Sequence, residues 1–233
     1  MIRPALLAAL LLVFGRSAAA APALVEDSLA QRLAACTTCH GRSGRAAPDG
    51  YHPRIAGKPA GYLFNQLQNF RDGRRRYGPM VALVDPLPDR YLREIAEHFA
   101  GLELPYPAPP PPAEPAAVLA RGRTLALQGD AAKGLPACAA CHGTALTGVL
   151  PAVPGLLGLP RDYLAGQLGA WLHGERRARA PDCMADLAKK LDGGDLVAVS
   201  AWLASQPVPQ PARPATTLAQ AAPLRCGSMG ALP

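Results

Sequence analysis

The 233-residue sequence predicts an all-α protein that consists of two tandem copies of one small domain. Two observations predict this fold class. Residues of the second half repeat those of the first half at a nearly constant spacing, which implies two copies of one fold. Apolar residues recur three and four positions apart, as on amphipathic helices, and no stretch shows the alternation of a half-buried strand. A proline-rich run between the copies favours an extended, semi-rigid linker.

The repeat extends over most of each half. At a spacing of 101 positions the matched pairs are Pro53/Pro154, Gly57/Gly158, Pro59/Pro160, Tyr62/Tyr163, Leu63/Leu164, Gln66/Gln167, Leu67/Leu168, Phe70/Trp171, Gly73/Gly174 and Arg75/Arg176. At a spacing of 104 they are Met80/Met184, Leu83/Leu187, Leu87/Leu191, Leu92/Leu196, Ile95/Val199 and Phe99/Leu203.

The N-terminus has the pattern of a secretory signal peptide. A basic start is followed by an apolar run over Pro4–Phe14 and by small residues up to Ala21. We expect residues 1–21 to be removed, with Ala23 as the second candidate cleavage position. The apolar run is too short to span a bilayer, so we expect an exported protein, periplasmic in a bacterium. An uncleaved N-terminal anchor and peripheral membrane association are the alternatives.

Composition then divides the mature chain. We expect domain 1 over residues 22–103, a Pro-rich linker over 104–115, domain 2 over 116–206, and a Pro/Ala-rich tail over 207–233. Each domain is small for a self-sufficient apolar core.

Each domain is predicted to contain three main helices. In domain 1 the first covers about Val25–Ala35, the second carries Leu63, Leu67 and Phe70, and the third begins at Pro88 and ends at Gly101. In domain 2 the corresponding helices cover about 116–128, 164–171 and 196–203.

Two C-x-x-C-H motifs follow the first helix of each domain. They consist of Cys36, Cys39 and His40, and of Cys138, Cys141 and His142. Such a motif attaches one c-type haem through two thioethers, and its histidine ligates the iron. A structural zinc site would pair the two C-x-x-C units at short range, and a redox dithiol would need a βαβ context. Neither is present, so we expect two covalent haems.

Two methionines are candidates for the sixth ligand. Met80 and Met184 lie between the second and third helices of their domains, at matching positions. A thioether ligand raises the reduction potential, although a lone methionine is normally a flexible core residue. Met229 has no counterpart in the repeat and is expected to be a bystander.

The motifs together resemble a known family. Residues 53–73 are similar to the pattern P-x-(I/L)-A-G-x4-Y-L-x2-Q-L-x2-F-x2-G of bacterial dihaem cytochromes c of the c4 type. The similarity covers roughly residues 26–205. It implies two fused class I cytochrome c domains related by a pseudo-twofold axis, with haem propionates facing the interface. It also implies electron transfer to a terminal oxidase or another periplasmic acceptor.

Two further cysteines depart from that pattern. Cys183 directly precedes Met184, and Cys226 lies in the tail. An even pair in an oxidising compartment predicts a disulfide that pins the tail to the ligand loop of the second haem. The alternative is that Cys183 ligates the iron as a thiolate in place of Met184.

The remaining charged residues suggest no other cofactor. His52, His98 and His173 lack repeat counterparts and are interpreted as surface or packing residues. Arg75 and Arg176 do repeat, and we expect them to pair with haem propionates. The formal net charge of +7 falls towards neutrality once the signal peptide is removed and the propionates are counted, so we predict no nucleic-acid partner.

Two functions follow from these residues. The first is a one-electron carrier with His/Met ligation at both irons, monomeric, that connects a cytochrome bc-type donor or a dehydrogenase to a terminal oxidase. The second is an enzyme or its subunit: a dihaem protein that oxidises sulfur compounds, a dihaem peroxidase, or the cytochrome subunit of a periplasmic dehydrogenase. No acid or base constellation accompanies the haem motifs, so we predict a carrier rather than an enzyme.

Overall fold

The computed structural model describes residues 27–230, so the predicted signal peptide 1–21 lies outside the described residues. The described range is mostly helical, as the sequence predicts. The helices are α1 (Leu29–His40), α2 (Ala60–Arg71), α3 (Gly78–Val84), α4 (Asp89–Ala100), α5 (Ala116–Leu127), α6 (Ala139–His142), α7 (Arg161–Leu172), α8 (Cys183–Ala188) and α9 (Gly193–Ser205), with 3-10 turns at Arg42–Gly44 and Ala131–Lys133.

Domain 2 contains a short pair of strands, although the sequence pattern indicated no strand. The strands β1 (Gly148–Val149) and β2 (Val153–Pro154) form an antiparallel pair of two residues each. Ala215 of the tail adds a parallel bridge to Val149. Two residues are too few to produce the alternation by which strands are recognised in sequence.

Local chemistry explains where the helices begin. The side chains of Ser28, Asp182 and Asp192 accept hydrogen bonds from backbone N–H groups of the first turns of α1, α8 and α9. A proline, whose fixed φ suits a helix start and which donates no hydrogen bond, immediately precedes four other helices. These prolines are Pro59, Pro88, Pro115 and Pro160.

Each domain has its own apolar core. In domain 1, α2 packs on α4 around Phe64, Leu92 and Phe99, all of which are buried. In domain 2, α9 packs on both α5 and α7 around Leu125 and Leu203. The cores are formed by corresponding helices, as expected of two copies of one fold.

The linker makes specific contacts with both domains. No helix or strand lies between Ala100 and Ala116. The Arg54 guanidinium donates hydrogen bonds to the carbonyls of Leu104 and Pro105, and it stacks on the Tyr106 ring at 3.8 Å. Tyr106 also packs against Gly158 of domain 2. The linker is therefore held along its first residues, while the domain boundaries predicted from composition remain predictions.

The two domains meet along matching segments. Arg75 and Arg176 form an antiparallel bridge, and Arg177 N donates to the Arg74 carbonyl. Arg76 N donates in turn to the Glu175 carbonyl at 3.3 Å. These exchanged contacts between repeated residues show the near-twofold relation. Within residues 27–230 no helix has the length and apolar character needed to cross a bilayer.

Candidate functional site

One cavity of about 960 Å³ runs through both domains and is lined mainly by apolar side chains. It brings together every residue that the sequence analysis proposed as a site residue. These are Cys36, Cys39, His40 and Met80 of domain 1, and Cys138, Cys141, His142 and Met184 of domain 2.

Both motif histidines are oriented in the same way. His40 and His142 are the last residues of α1 and α6 and are buried. Nδ1 of His40 lies 2.8 Å from the Pro53 carbonyl, and Nδ1 of His142 lies 2.8 Å from the Pro154 carbonyl. Because a carbonyl only accepts, each Nδ1 donates a proton, and each Nε2 keeps a lone pair available for a metal.

Burial also keeps these imidazoles neutral. It lowers the pKa of His40 and of His142 more than the hydrogen bonds to the proline carbonyls raise it. The charge of Lys58 lowers the pKa of His142 further. At pH 7 both rings are therefore unprotonated at one nitrogen, as an iron ligand must be.

A glycine after each histidine allows the sharp exit from the helix. Gly41 has φ of +72°, and a Cβ there would lie 2.2 Å from the Ala46 carbonyl oxygen. Gly143 has φ of +83° and lies close to the Gly148 carbonyl. A side chain at either position would be strained, because positive φ is unfavourable for other residues.

The four motif cysteines are free thiols at the cavity wall. Burial raises the pKa of Cys138 to about 11, and it raises the pKa of Cys36 and Cys141. Reduced, protonated thiols paired on one turn of helix are what thioether attachment to a porphyrin requires. Their chemistry therefore fits a covalent haem at each motif.

Met80 in α3 and Met184 in α8 are both half-buried and line the cavity. Met80 packs against the core of domain 1. The structure also places Met229 of the tail at the cavity wall, a position that the sequence analysis did not predict for this residue. Comparison of the two repeats gives no signal for Met229, because the tail has no counterpart in domain 1.

The predicted disulfide is present. Cys183 and Cys226 are bonded, with an S–S distance of 2.09 Å. Gly227 N donates to the Pro181 carbonyl, and Asn65 of α2 donates to the Ser228 carbonyl at 3.2 Å. The tail is thus tied to the segment before Met184 and reaches domain 1. Since its sulfur is bonded, Cys183 has no thiolate with which to ligate iron.

Arg75 and Arg176 make crossed contacts beside the cavity. Arg75 donates to Gln66 of its own domain and to Gln167 of the other, and Arg176 donates to the same two amides. Tyr163 and Tyr62 complete the arrangement as further partners of Arg75 and Arg176 respectively. The sequence predicts propionate partners for these arginines but does not reveal the glutamine and tyrosine contacts.

The charge of this pair lacks a counter-charge. Within residues 27–230, neither Arg75 nor Arg176 forms a salt bridge. Burial lowers the pKa of Arg176, and the neighbouring charge of Arg75 lowers it further. Buried cations need an anion, and haem propionates would supply one.

Three orphaned donors point the same way. Among residues 27–230, Arg32 Nε, Trp171 Nε1 and Ser228 Oγ are buried, lack a hydrogen-bond partner, and belong to residues that line the cavity. Buried donors in native proteins are normally satisfied, and a molecule in the cavity that carries acceptors would satisfy these. Carboxylate oxygens of propionates are suitable acceptors, and the residues present therefore fit haem.

His52 also lies at the cavity, although the sequence analysis treated it as an ordinary packing residue. Its ring packs edge-on at 6.1 Å from that of His40, and its Nδ1 lies 2.6 Å from an Asp49 carboxylate oxygen. It packs beside the proximal side of the first site, which is consistent with a packing role.

Comparisons with known proteins show what the whole chain is similar to. No family model matches the chain. The chain is 36% identical over 175 residues to the thiosulfate dehydrogenase electron acceptor of Thiomonas intermedia, which covers 75% of this chain and 80% of that protein. It is 31% identical over 200 residues to cytochrome c4 of Pseudomonas aeruginosa, which covers 85% of this chain and 96% of that protein.

Solved structures show the same relationship. The structure of reduced recombinant cytochrome c4 from Pseudomonas stutzeri matches with a TM-score of 0.65 and 30% identity, over 78% of this chain and 99% of that chain. The thiosulfate dehydrogenase TsdBA of Marichromatium purpuratum matches with a TM-score of 0.66 and 32% identity, over 74% of this chain and 36% of that chain.

Proposed function

Because this chain belongs to the cytochrome c4 family of dihaem c-type cytochromes, we propose that it is the periplasmic electron acceptor of a dehydrogenase that oxidises thiosulfate. Its relatives include two thiosulfate dehydrogenase electron acceptors, the second 34% identical over 171 residues. Onward transfer to a terminal oxidase completes the proposed role. The observation that carries the proposal is the single cavity that joins both C-x-x-C-H motifs and both methionines.

The site residues have matching roles in the two domains. Cys36 and Cys39 attach the first haem, and His40 and Met80 ligate its iron. Cys138 and Cys141 attach the second haem, and His142 and Met184 ligate its iron. Bound there, a haem supplies reversible one-electron chemistry at iron. The Pro53 and Pro154 carbonyls hold the two imidazoles in the ligating orientation.

This ligation favours a carrier over an enzyme. An iron ligated by both the histidine and the methionine would have no coordination position left for a substrate. The main feature that pointed to catalysis, a Cys183 thiolate, is removed by the bond to Cys226. Both C-x-x-C-H motifs line one continuous cavity, so two haems attached there would share it.

The first experiment counts the haems. Intact mass of the exported holoprotein is expected to show a polypeptide that begins after about Ala21 and carries two porphyrins. Fewer than two added porphyrins would end the proposal, and retention of residues 1–21 would replace export and cleavage by an N-terminal anchor.

The second experiment tests the partner. Ferric holoprotein is mixed with a purified bacterial thiosulfate dehydrogenase and thiosulfate, and haem reduction is followed by absorbance. We expect both haems to be reduced at a rate proportional to dehydrogenase concentration. A rate no higher than with thiosulfate alone would contradict the proposed partner. Catalytic consumption of thiosulfate by the cytochrome itself, with ferricyanide as acceptor, would support the enzyme instead.

A further inference from the structure

Lys58 is a buried cation of domain 1 that reaches into domain 2. Its side chain is 5% exposed and lines the cavity. It immediately precedes Pro59, the residue before the first residue of α2. Its Nζ donates a hydrogen bond of 3.2 Å to the carbonyl of Gly155, which belongs to the other domain.

That carbonyl belongs to the loop that orients the second proximal histidine. Pro154 accepts the hydrogen bond from His142 Nδ1, and Gly155 is the next residue. The ammonium group of Lys58 and the imidazole of His142 are therefore bound to consecutive carbonyls. The contact crosses the domain interface, so a charge of domain 1 lies beside the haem site of domain 2.

The protein itself gives Lys58 no counter-charge. Across the described residues 27–230, Lys58 forms no salt bridge, and the charged group that acts on it most is the guanidinium of Arg54. Burial lowers the pKa of Lys58 to about 8, which still leaves most of the amine protonated at pH 7. A charge in a buried site acts over longer distances than a solvated one.

The repeat shows that the fold itself does not require this lysine. Leu159, the counterpart of Lys58, is a buried apolar residue, and Gly155 is the counterpart of Arg54. Arg54 follows Pro53, whose carbonyl binds His40, so it lies on the proximal loop of domain 1. Domain 1 thus places buried Arg54 on its own histidine-binding loop and buried Lys58 against the corresponding loop of domain 2. At the two matching positions domain 2 has Gly155 and Leu159, which carry no charge.

We propose that Lys58 raises the reduction potential of the second haem across the domain interface. This inference rests on the proposed function, because it requires a haem ligated by His142. A positive charge near the iron disfavours the ferric state and so favours reduction. A unit charge at about 10 Å in an effective dielectric constant of about 20 changes the redox equilibrium by about tenfold.

The test compares two neutral variants of Lys58. Lys58→Met removes the charge and the hydrogen bond to Gly155, whereas Lys58→Gln removes the charge but keeps a donor. Midpoint potentials of both haems are measured by spectroelectrochemistry on the dihaem holoprotein. The wave of the second haem is identified as the one that moves in Met184→Ala.

The matched control is Lys190→Met. Lys190 also donates to a domain 2 carbonyl, that of Gly134, but it is exposed to solvent. Water and salt screen such a charge, so its loss is expected to leave both potentials unchanged.

We expect both Lys58 variants to lower the midpoint potential of the second haem by about 59 mV, which is a tenfold change in its one-electron redox equilibrium constant. The midpoint potential of the first haem should stay nearly unchanged. Unchanged potentials in a variant that carries two haems would overturn this inference alone. A shift in Lys58→Met but not in Lys58→Gln would also overturn it, since the hydrogen bond rather than the charge would then be responsible. If the unmodified protein itself carries fewer than two haems, the proposed function is overturned instead.

Discussion

At the scale of single residues, the protein alone holds both motif histidines in the orientation and protonation state that an iron ligand needs. Each uses Nδ1 to donate to a proline carbonyl, and each has a lowered pKa because it is buried. Such a hydrogen bond fixes the tautomer and the ring orientation, which increases the affinity for a metal. His40 and His142 therefore reach the same state through equivalent loops of the two domains.

The methionine assignment gives the prediction at this scale. Met80→Ala and Met184→Ala are each expected to lower the midpoint potential of one haem, because a thioether ligand favours ferrous iron. The expected decrease is at least about 59 mV, which is a tenfold change in the one-electron redox equilibrium constant. Each variant should also let carbon monoxide bind at that iron. Potentials are read by spectroelectrochemistry, and carbon monoxide binding by absorbance of the reduced protein.

Met229 requires a control in this experiment, because it lines the same cavity and is also a thioether. Met229→Leu alone should change neither potential, and Met184→Ala is best repeated in that background. If both potentials stay unchanged in Met80→Ala and in Met184→Ala/Met229→Leu, these methionines are not the ligands.

At the scale of elements, α5 and α9 of domain 2 cross very closely at Gly122. A Cβ on Gly122 would lie 2.0 Å from the Ala198 carbonyl oxygen and 2.7 Å from the Trp202 Cβ. Since the obstruction is backbone, no rotamer change could relieve it. Gly122 is therefore required by packing rather than by backbone dihedral angles, and helix propensity alone would favour alanine there.

We accordingly expect Gly122→Ala to lower the free energy of unfolding of the holoprotein by about 1–3 kcal/mol, the usual cost of overpacking. The measurement is urea unfolding followed by far-UV circular dichroism. Gly193→Ala is the matched control, because Gly193 lies in α9 with no atom within 4 Å of its Cβ position. It should be neutral or stabilising by up to about 1 kcal/mol. Equal effects of the two substitutions would contradict the close-crossing argument.

At the scale of the whole molecule, the tail joins parts that the helices leave separate. The bond between Cys183 and Cys226 closes a 43-residue separation, and the neighbouring Ser228 carbonyl accepts from Asn65 of domain 1. Met229 and Ser228 then complete one wall of the cavity. The tail therefore links domain 2 to domain 1 and lines part of the cavity.

Replacing both cysteines by alanine is expected to lower the free energy of unfolding by about 2–4 kcal/mol, because the unfolded chain gains entropy when the cross-link is lost. Urea unfolding with and without dithiothreitol measures the effect, and the reductant should destabilise the unmodified protein but not the double variant. Met184 stays in place, so the second haem should keep its methionine ligation. An unfolding midpoint equal to that of the unmodified protein would show that the disulfide contributes no stability.

The sequence by itself determined the helical class, the duplication and the two haem motifs, and it predicted the pairing of the two extra cysteines, which the structure confirms. These features depend on residue type and spacing along the chain. Thioether attachment needs two thiols on one helical turn, and an amphipathic helix needs apolar residues three and four positions apart. Cys183 and Cys226 were predicted to pair because the other four cysteines were already assigned to haem, and only the structure removed the alternative of a Cys183 thiolate ligand.

Only the tertiary structure decided what lies between the domains. The crossed partners of Arg75 and Arg176, the contact of Lys58 with Gly155, and the arrival of Met229 at the cavity all join residues that are distant in sequence. No local period or motif encodes such pairs, because they depend on how two nearly identical surfaces pack against each other. Where the repeat is broken, at Lys58 and in the tail, the packing of the domains determines how the two haem sites differ.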